Sequence, residues 1–297
     1  MMATLNITNA KRFSDLVAIT EASDDAVLLI HDGNGVKTIT VGDFKKDIKT
    51  LVDAAHSVVD DMVTAGAGSH NSVYRGKYLG DSVTAAQYAA ISAGTFEDLY
   101  LGDYWIIGEV TYRIAAFDYY YQTGDPLCTS HHVTLVPDSI MYKHKMHDSN
   151  STAGAYVGAL MYTEGLNQAK ETINAAFGSD HVLNHRQYLP NAATSGYVTG
   201  ASWYDSTVEL MNEQNVYGCR VFCNETNGTT VASGYTLDKS QYPLFAVRPD
   251  LISCNDWYWL RDVASAGVFA GVNGKGYATY TGLTSVFGVR PAFSIIG

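Results

Sequence analysis

Positive charge is scarce in this sequence of 297 residues. Its 19 Lys and Arg stand against 30 Asp and Glu, for a formal net charge of −11. Nucleic-acid affinity rests on clustered Lys and Arg that neutralise phosphates. No run of them occurs here, so nucleic acid is not expected as a partner, and the acidic excess reads as a solvated surface. Cysteine is sparse as well, at Cys128, Cys219, Cys223 and Cys254. Their spacing forms no paired C-x-x-C metal site, and synthesis in a cytoplasm disfavours disulfides, so reduced, mostly buried thiols are expected. No apolar stretch reaches the roughly 18 residues that a membrane span needs, and no membrane insertion is expected. The start lacks a basic end followed by an apolar stretch, so no signal peptide is expected either.

The signatures of the common catalytic machineries are also missing. There is no Gly-x-Ser-x-Gly elbow, no P-loop and no zinc-protease helix. The Gly271–Gly276 stretch is glycine-rich, but neither Ser nor Thr follows Lys275 in P-loop register. Carboxylates are scattered, without the facing pair that glycoside hydrolysis requires. Histidines gather in the middle of the chain, at His131, His132, His144, His147, His181 and His185. His181 and His185, or His144 and His147 beside Asp148, would each share one face of a helix. A transition-metal site needs three or four converging ligands, and nothing in the sequence makes these segments converge. Ordinary hydrogen-bonded histidines are expected, with Asn184-His185-Arg186 as a polar network around a helix start. Cys219-x-x-x-Cys223 would share a face too, but redox chemistry wants an activating cation, and Arg220 alone is a weak one. The expectation is no catalytic residue, no metal and no cofactor.

What is present is a hydrophobic fraction of 46%, enough to bury a real core, and 21 Tyr against 10 Phe. Tyr supplies stiff contact area with a polar tip, which suits loop-rich β structure and binding surfaces alike. Residues 1–42 read as a small β module. Its apolar run Ala26–Ile30 precedes the turn signal Asp32-Gly33-Asn34-Gly35, and Lys37–Val41 then alternates as a strand. Residues 43–64 read as one helix capped by Asp43. Its apolar positions Phe44, Ile48, Leu51, Ala55, Val58 and Met62 are spaced 4, 3, 4, 3, 4, a heptad seam that predicts self-association. Thr64–Ser69 is a flexible break that closes this 43–68 segment. Residues 69–297 form one further domain. Its strand-like runs include Tyr104–Ile107 and Thr111–Phe117, and helices are expected over about 164–177 and 205–215. The fold class expected from this mixture is α+β.

Two segments carry a family resemblance. One is His185-Arg186-Gln187-Tyr188-Leu189-Pro190-Asn191-Ala192 with Trp203–Glu213. The other is Trp257-Tyr258-Trp259-Leu260-Arg261-Asp262-Val263, closing on Gly288-Val289-Arg290-Pro291-Ala292-Phe293. Together they resemble the C-type-lectin-like domains of phage structural proteins, including targets of diversity-generating retroelements. Similar bookends occur in formylglycine-generating-type folds. The likeness spans about residues 75–297. The N-terminal module separately resembles the attachment segments of phage tail or head fibres.

The resemblance implies a virion surface protein, assembled in a bacterial cytoplasm. It would dock on other virion proteins through its N-terminus, self-associate as a homotrimer and bind a host-cell surface protein or glycan. It implies a scaffold of Trp257, Trp259, Leu260, Arg261, Arg290 and Phe293, with Arg261 and Arg290 as buried, paired cations. It also implies a variable segment over about 255–287. There Tyr258, Val268, Gly271, Tyr277, Thr279, Tyr280, Thr281, Leu283, Thr284, Val286 and Phe287 would face outward. Tyr277–Phe287 has no clear period and is expected to be a surface loop. The alternatives are an invariant particle-decoration protein and an enzyme of the formylglycine-generating type. The enzyme would want a second cysteine after Cys254, and none follows.

Overall fold

The computed structural model describes residues 23–31, 36–62, 66–223 and 240–297. The expected turn at Asp32–Gly35, most of the attachment segment and the start of the linker (Thr64, Ala65) lie outside the described residues. The chain divides into two compact units, Met1–Thr64 and Ala65–Gly297.

In the first unit, β1 (Val27–His31) pairs antiparallel with β2 (Val36–Thr40), with Val27 opposite Thr40. Helix α1 (Val41–Met62) follows without a break. The Thr40 hydroxyl accepts from the Asp43 N–H at 3.0 Å and donates to the Asp43 carboxylate at 2.7 Å. Thr40 therefore caps this end of the helix, and the expected cap, Asp43, is its reciprocal partner. Leu28 and Val41 are buried, while Ile48, Leu51 and Val52 are exposed, Leu51 to 70%. The front of the heptad seam is thus left open by the unit's own hairpin. The side chains of Ala55, Val58 and Met62 lie outside the described residues.

The second unit is an α+β structure. It begins with a short helix, α2 (Ala67–His70), inside the stretch expected to be flexible. Strand β3 (Tyr78–Gly80) and helix α3 (Ala85–Ser92) follow. Next come β4 (Tyr104–Ile107), β5 (Val110–Phe117), β6 (Val133–Pro137) and β7 (Tyr142–Lys145). Helix α4 (Asn167–Phe177) is the helix expected near 164–177, with Ala169, Ile173 and Phe177 turned to the core and Gly178 at its stop. Strands β8 (His185–Thr194) and β9 (Tyr197–Ser206) form a long hairpin, and β10 (Val208–Leu210) follows at once. Two short helices, α5 (Glu213–Tyr217) and α6 (Pro243–Val247), lead to the last five strands. These are β11 (Tyr258–Ser265), β12 (Val268–Val272), β13 (Ala278–Gly282), β14 (Val286–Val289) and β15 (Pro291–Ile295).

Two sheets are stacked between flanking layers. One has the order β10-β15-β6-β5-β4-β3 and the other β13-β12-β11-β14-β7. Ile114, Phe117, Val133 and Leu135 of the first sheet pack with Ile91 of α3 and with Ile173 and Phe177 of α4. The opposite face of that sheet offers Ala115, Ala116, Val136 and Ala292. These meet Tyr258, Leu260, Ala270 and Val272 of the second sheet, together with Leu244 and Phe245 of α6. The far side of the second sheet offers Trp259, Val263, Phe269 and Val289. It is covered by Leu189, Ala193 and Val198 of the hairpin and by Tyr156, Met161 and Leu166. The second sheet is therefore apolar on both faces along much of its length.

Residues expected as a helix over 205–215 are instead the end of β9, strand β10 and the start of α5. The cap is Asn212, whose side chain accepts from Asn215 N–H while Asn215 accepts from Asn212 N–H, at 2.7 and 3.0 Å. The expected helix start at Asn184–Arg186 is likewise the beginning of a strand. The hairpin turns through Ser195 and Gly196 at φ 53° and 83°, the two-residue form that matches strand twist. A Cβ on Gly196 would stand 2.2 Å from the Ala266 nitrogen, so the turn seats on the β11–β12 turn only with glycine.

Candidate ligand-binding face

The segment expected to be a loop between Tyr277 and Phe287 is mostly strand. Residues 278–282 form the edge strand β13, paired antiparallel to β12 with Gly271 opposite Thr279 and Ala270 opposite Tyr280. Residues 286–289 form β14, paired to β7 with Phe287 opposite His144. The turn between them is held down. Leu283 is buried and its carbonyl accepts from His147 N–H at 3.0 Å, while Asn150 Oδ1 accepts from Thr284 N–H at 3.3 Å.

The expected outward set therefore separates. Tyr258, Gly271 and Leu283 are buried, which corrects their assignment to the outer face. The reason is the double covering of the sheet: Tyr258 fills the space between the two sheets, and its hydroxyl donates to the Ile252 carbonyl at 2.9 Å. Gly271 lies beneath an aromatic ring. A Cβ there would meet the Phe287 ring at 3.5 Å and the Tyr258 carbonyl at 2.9 Å. Val268, Thr279, Thr281 and Phe287 are half-buried, and Tyr277, Tyr280, Thr284 and Val286 are exposed.

The scaffold set also needs one correction. Trp259, Leu260, Arg261, Arg290 and Phe293 are buried, but Trp257 is 46% exposed because it precedes the first residue of β11. Its ring stands edge-on to Phe287 at 5.2 Å, and Phe287 in turn lies 4.7 Å from the Trp259 ring. Trp259 is anchored by its Nε1–H, which donates to the His144 carbonyl at 2.8 Å. An aromatic stack thus runs from the core to the surface. Beside its outer end, Asp256 accepts from the Trp257 N–H at 2.8 Å and pairs with Lys143 at 2.9 Å. That ammonium holds the Asp256 carboxyl below its usual range.

The two arginines are buried, but the partners seen for Arg290 are not carboxylates. Its guanidinium donates to the carbonyls of Pro137, Ile252 and Leu251 at 2.8, 2.9 and 3.0 Å, under the Tyr258 ring. Arg261 donates to the Gln187 side chain at 2.8 Å and to the Leu210 carbonyl at 3.4 Å.

Sequence reasoning missed a neighbouring element. The buried Glu213 carboxylate accepts from the backbone N–H groups of Val221, Phe222 and Cys223 at 2.8–3.0 Å. This fixes Phe222, whose ring meets the exposed Tyr280 edge-on at 4.9 Å. The available signal was the Asn212–Asn215 cap with Gly218 behind it, which places Glu213 in a first helical turn close to the following loop.

Several groups with potential chemistry are held in structural contacts. His131 Nδ1 sits 2.7 Å from Asp118, and His132 is buried with its Nε2 accepting from the Tyr120 N–H at 2.9 Å. His144 Nδ1 donates to the Lys145 carbonyl at 2.7 Å, and Asp148 pairs with Lys145. Burial pushes the Cys128 and Cys223 thiols up, away from the reactive thiolate. Among the described residues no three His, Cys, Asp or Glu gather as a metal set, and no helix is long and apolar enough to cross a membrane. The exposed aromatic and aliphatic residues of this region are Trp257, Tyr277, Tyr280 and Val286. What they can do is bury apolar area and offer phenol hydroxyls.

Comparison of the chain with protein-family models, with curated proteins and with solved structures returned no match.

Proposed function

We propose that this chain is a surface protein of a bacterial virus, a tail or head fibre type, that binds a host-cell protein or glycan through a C-type-lectin-like domain. The observation that carries the binding reading is a set of exposed aromatic and aliphatic side chains on and beside the strands of one closely packed sheet: Trp257 and Tyr277 just before β11 and β13, and Tyr280 and Val286 within β13 and β14. Aromatic side chains on a rigid support are the usual anchors of binding surfaces. Diversification by a retroelement would act on the outward positions of this segment and spare Tyr258, Gly271 and Leu283, where exchange disturbs the core.

The N-terminal unit supplies attachment to the particle and self-association. Ile48 and Leu51 lie exposed on α1 at seam spacing, and this reading joins the copies as a trimer along that seam. Linked copies raise overall avidity about 100- to 10,000-fold over one site, so modest single-site affinity suffices.

The test uses the full chain and cells of the cognate host. Tyr277→Ala and Tyr280→Ala are expected to keep the wild-type melting curve and weaken attachment by roughly 30-fold or more, the effect of losing a binding-centre aromatic worth about 2 kcal/mol. Unchanged attachment in both, and in Trp257→Ala, would overturn these exposed side chains as the binding site. Replacing Ile48 and Leu51 with Asp is expected to yield monomers by light scattering.

A further inference from the structure

The β8–β9 hairpin meets β11 through one polar chain as well as through apolar contacts. Arg261 of β11 donates from Nη1 to Gln187 Oε1 at 2.8 Å. A guanidinium only donates, so the Gln187 oxygen must face Arg261 and its NH2 must face the other way. That NH2 lies 2.9 Å from His185 Nε2. An amide NH2 also only donates, so His185 Nε2 must accept. The ring is therefore neutral, with its proton on Nδ1. A proton on Nε2 would set N–H against N–H. Gln187 cannot relieve this by flipping, because a flip turns its NH2 toward Arg261.

The surroundings allow little escape. His185 is buried and packs at 3.9 Å on the Tyr120 ring. Its Nδ1 has no hydrogen bond of good geometry among the described residues. His132 also lies against the Tyr120 ring, at 5.9 Å, and is itself fixed neutral between the Tyr120 N–H and the Ser130 carbonyl. The charged and titratable groups facing this cluster are His131 and Asp118 beside His132, Arg261 on β11, and Glu209 on β10. The Glu209 carboxyl is bound by Ser206 and Tyr156, and burial raises its pKa.

We propose that Arg261, Gln187 and His185 form an acid-operated latch: the base of the β8–β9 hairpin stays seated on β11 only while His185 is neutral, and protonation releases it. The proton comes from solvent and no bond other than N–H is made. Release would uncover the side of the second sheet where Trp259, Val263 and Phe269 are packed, directly behind the aromatic stack that ends at Trp257. The latch does not depend on what the outer face binds.

Burial, then the neighbouring His132 imidazole and the Arg261 guanidinium, lowers the His185 pKa from 6.5 to about 3. A base with a depressed folded pKa keeps its full stabilising effect above the unfolded value of 6.5. That effect is lost as pH falls from 6.5 toward 3. Hairpin opening should rise about tenfold per pH unit below 6.5, or roughly 30-fold by pH 5.

Hydrogen exchange of the full chain at pH 7 and pH 5, corrected for intrinsic rates, measures this. The expected result is about 30-fold more opening in residues 185–206, with β5 and β6 changed far less. His185→Gln keeps an acceptor for Gln187 and cannot titrate, so its hairpin should lose that acid dependence. An acid-insensitive wild-type hairpin, or a His185→Gln hairpin as acid-sensitive as wild type, would overturn the latch. If His185→Gln does not fold, nitrogen shifts of the wild-type imidazole decide the matter. An Nε2–H tautomer, or a charged ring at pH 6, would also refute it.

Discussion

Tyr258 is the position where the sequence pattern and the packed structure disagree most directly, and one substitution pair separates them. Its ring is fully buried between the sheets, among Leu260, Ala270 and Val272. Truncation to Ala removes an aromatic side chain from a filled core, a change that costs about 3–5 kcal/mol. The hydroxyl contributes less. It donates to the Ile252 carbonyl, but that carbonyl also accepts from Arg290 at 2.9 Å and stays satisfied without it. Tyr258→Phe should therefore cost only about 0.5–1.5 kcal/mol, the net value of a hydrogen bond. For a unit of this size each kcal/mol moves the melting temperature by about 2–4 °C. Thermal unfolding of the full chain, followed by near-ultraviolet circular dichroism, should then show Tyr258→Ala lower by on the order of 10 °C and Tyr258→Phe by a few degrees at most. A Tyr258→Ala protein that melts within about 2 °C of wild type would refute the burial argument and return this residue to the surface.

The two tryptophans flanking Tyr258 should behave as opposites. Trp259→Ala should cost about 3–5 kcal/mol in a denaturant melt, and Trp257→Ala about 0.5 kcal/mol or slightly more. Glu213→Ala leaves three loop N–H groups without their acceptor, so limited proteolysis should accelerate around Val221–Cys223, with Glu213→Gln intermediate because it keeps one acceptor oxygen. At pH 8, alkylation mapped by mass spectrometry should label the exposed Cys219 well before Cys223. The Cys223 thiol is held up first by burial and then by the charges of Asp262 and Glu213. Exhaustive chelation should leave the melting curve in place, and a large loss of stability would point back to the histidines.

Local signals were legible in α4, which has one wet face, and in the apolar runs of β4 and β5. Helix α4 and strands β4 and β5 fall where periodicity put them, and the hairpin Val27–Thr40 sits around its turn signal. The β13–β14 region was not legible for a physical reason. Tyr277–Phe287 looked like a loop because β13 and β14 are short strands joined by a turn, and the exposed side chains there include Tyr280 and Val286, so apolar character does not alternate with burial. The covering of the second sheet on both faces explains Tyr258, Gly271 and Leu283. Chemistry suggested a binding residue or a neutral one, but depth depends on layers contributed by residues 115–136, 189–198 and 244–245. The Asp205–Asn215 stretch misled because its polar residues resemble a helix start, while pairing of Val208–Leu210 with β15 makes the strand the better-bonded state.

The sequence by itself determined the acidic, cation-poor composition, the heptad spacing of α1 and the α+β mixture. Each is a property of composition or of neighbours within a few positions. Only the tertiary structure decided what Arg261 and Arg290 touch, because the Pro137, Leu251, Ile252 and Gln187 partners come from distant parts of the chain. It also decided that Trp257 points to solvent while Trp259, two residues on, is buried beneath the Phe287 ring. Side-chain alternation places two such residues on one face of a strand. Where that face leaves the protein is set by the length of the layers that cover it.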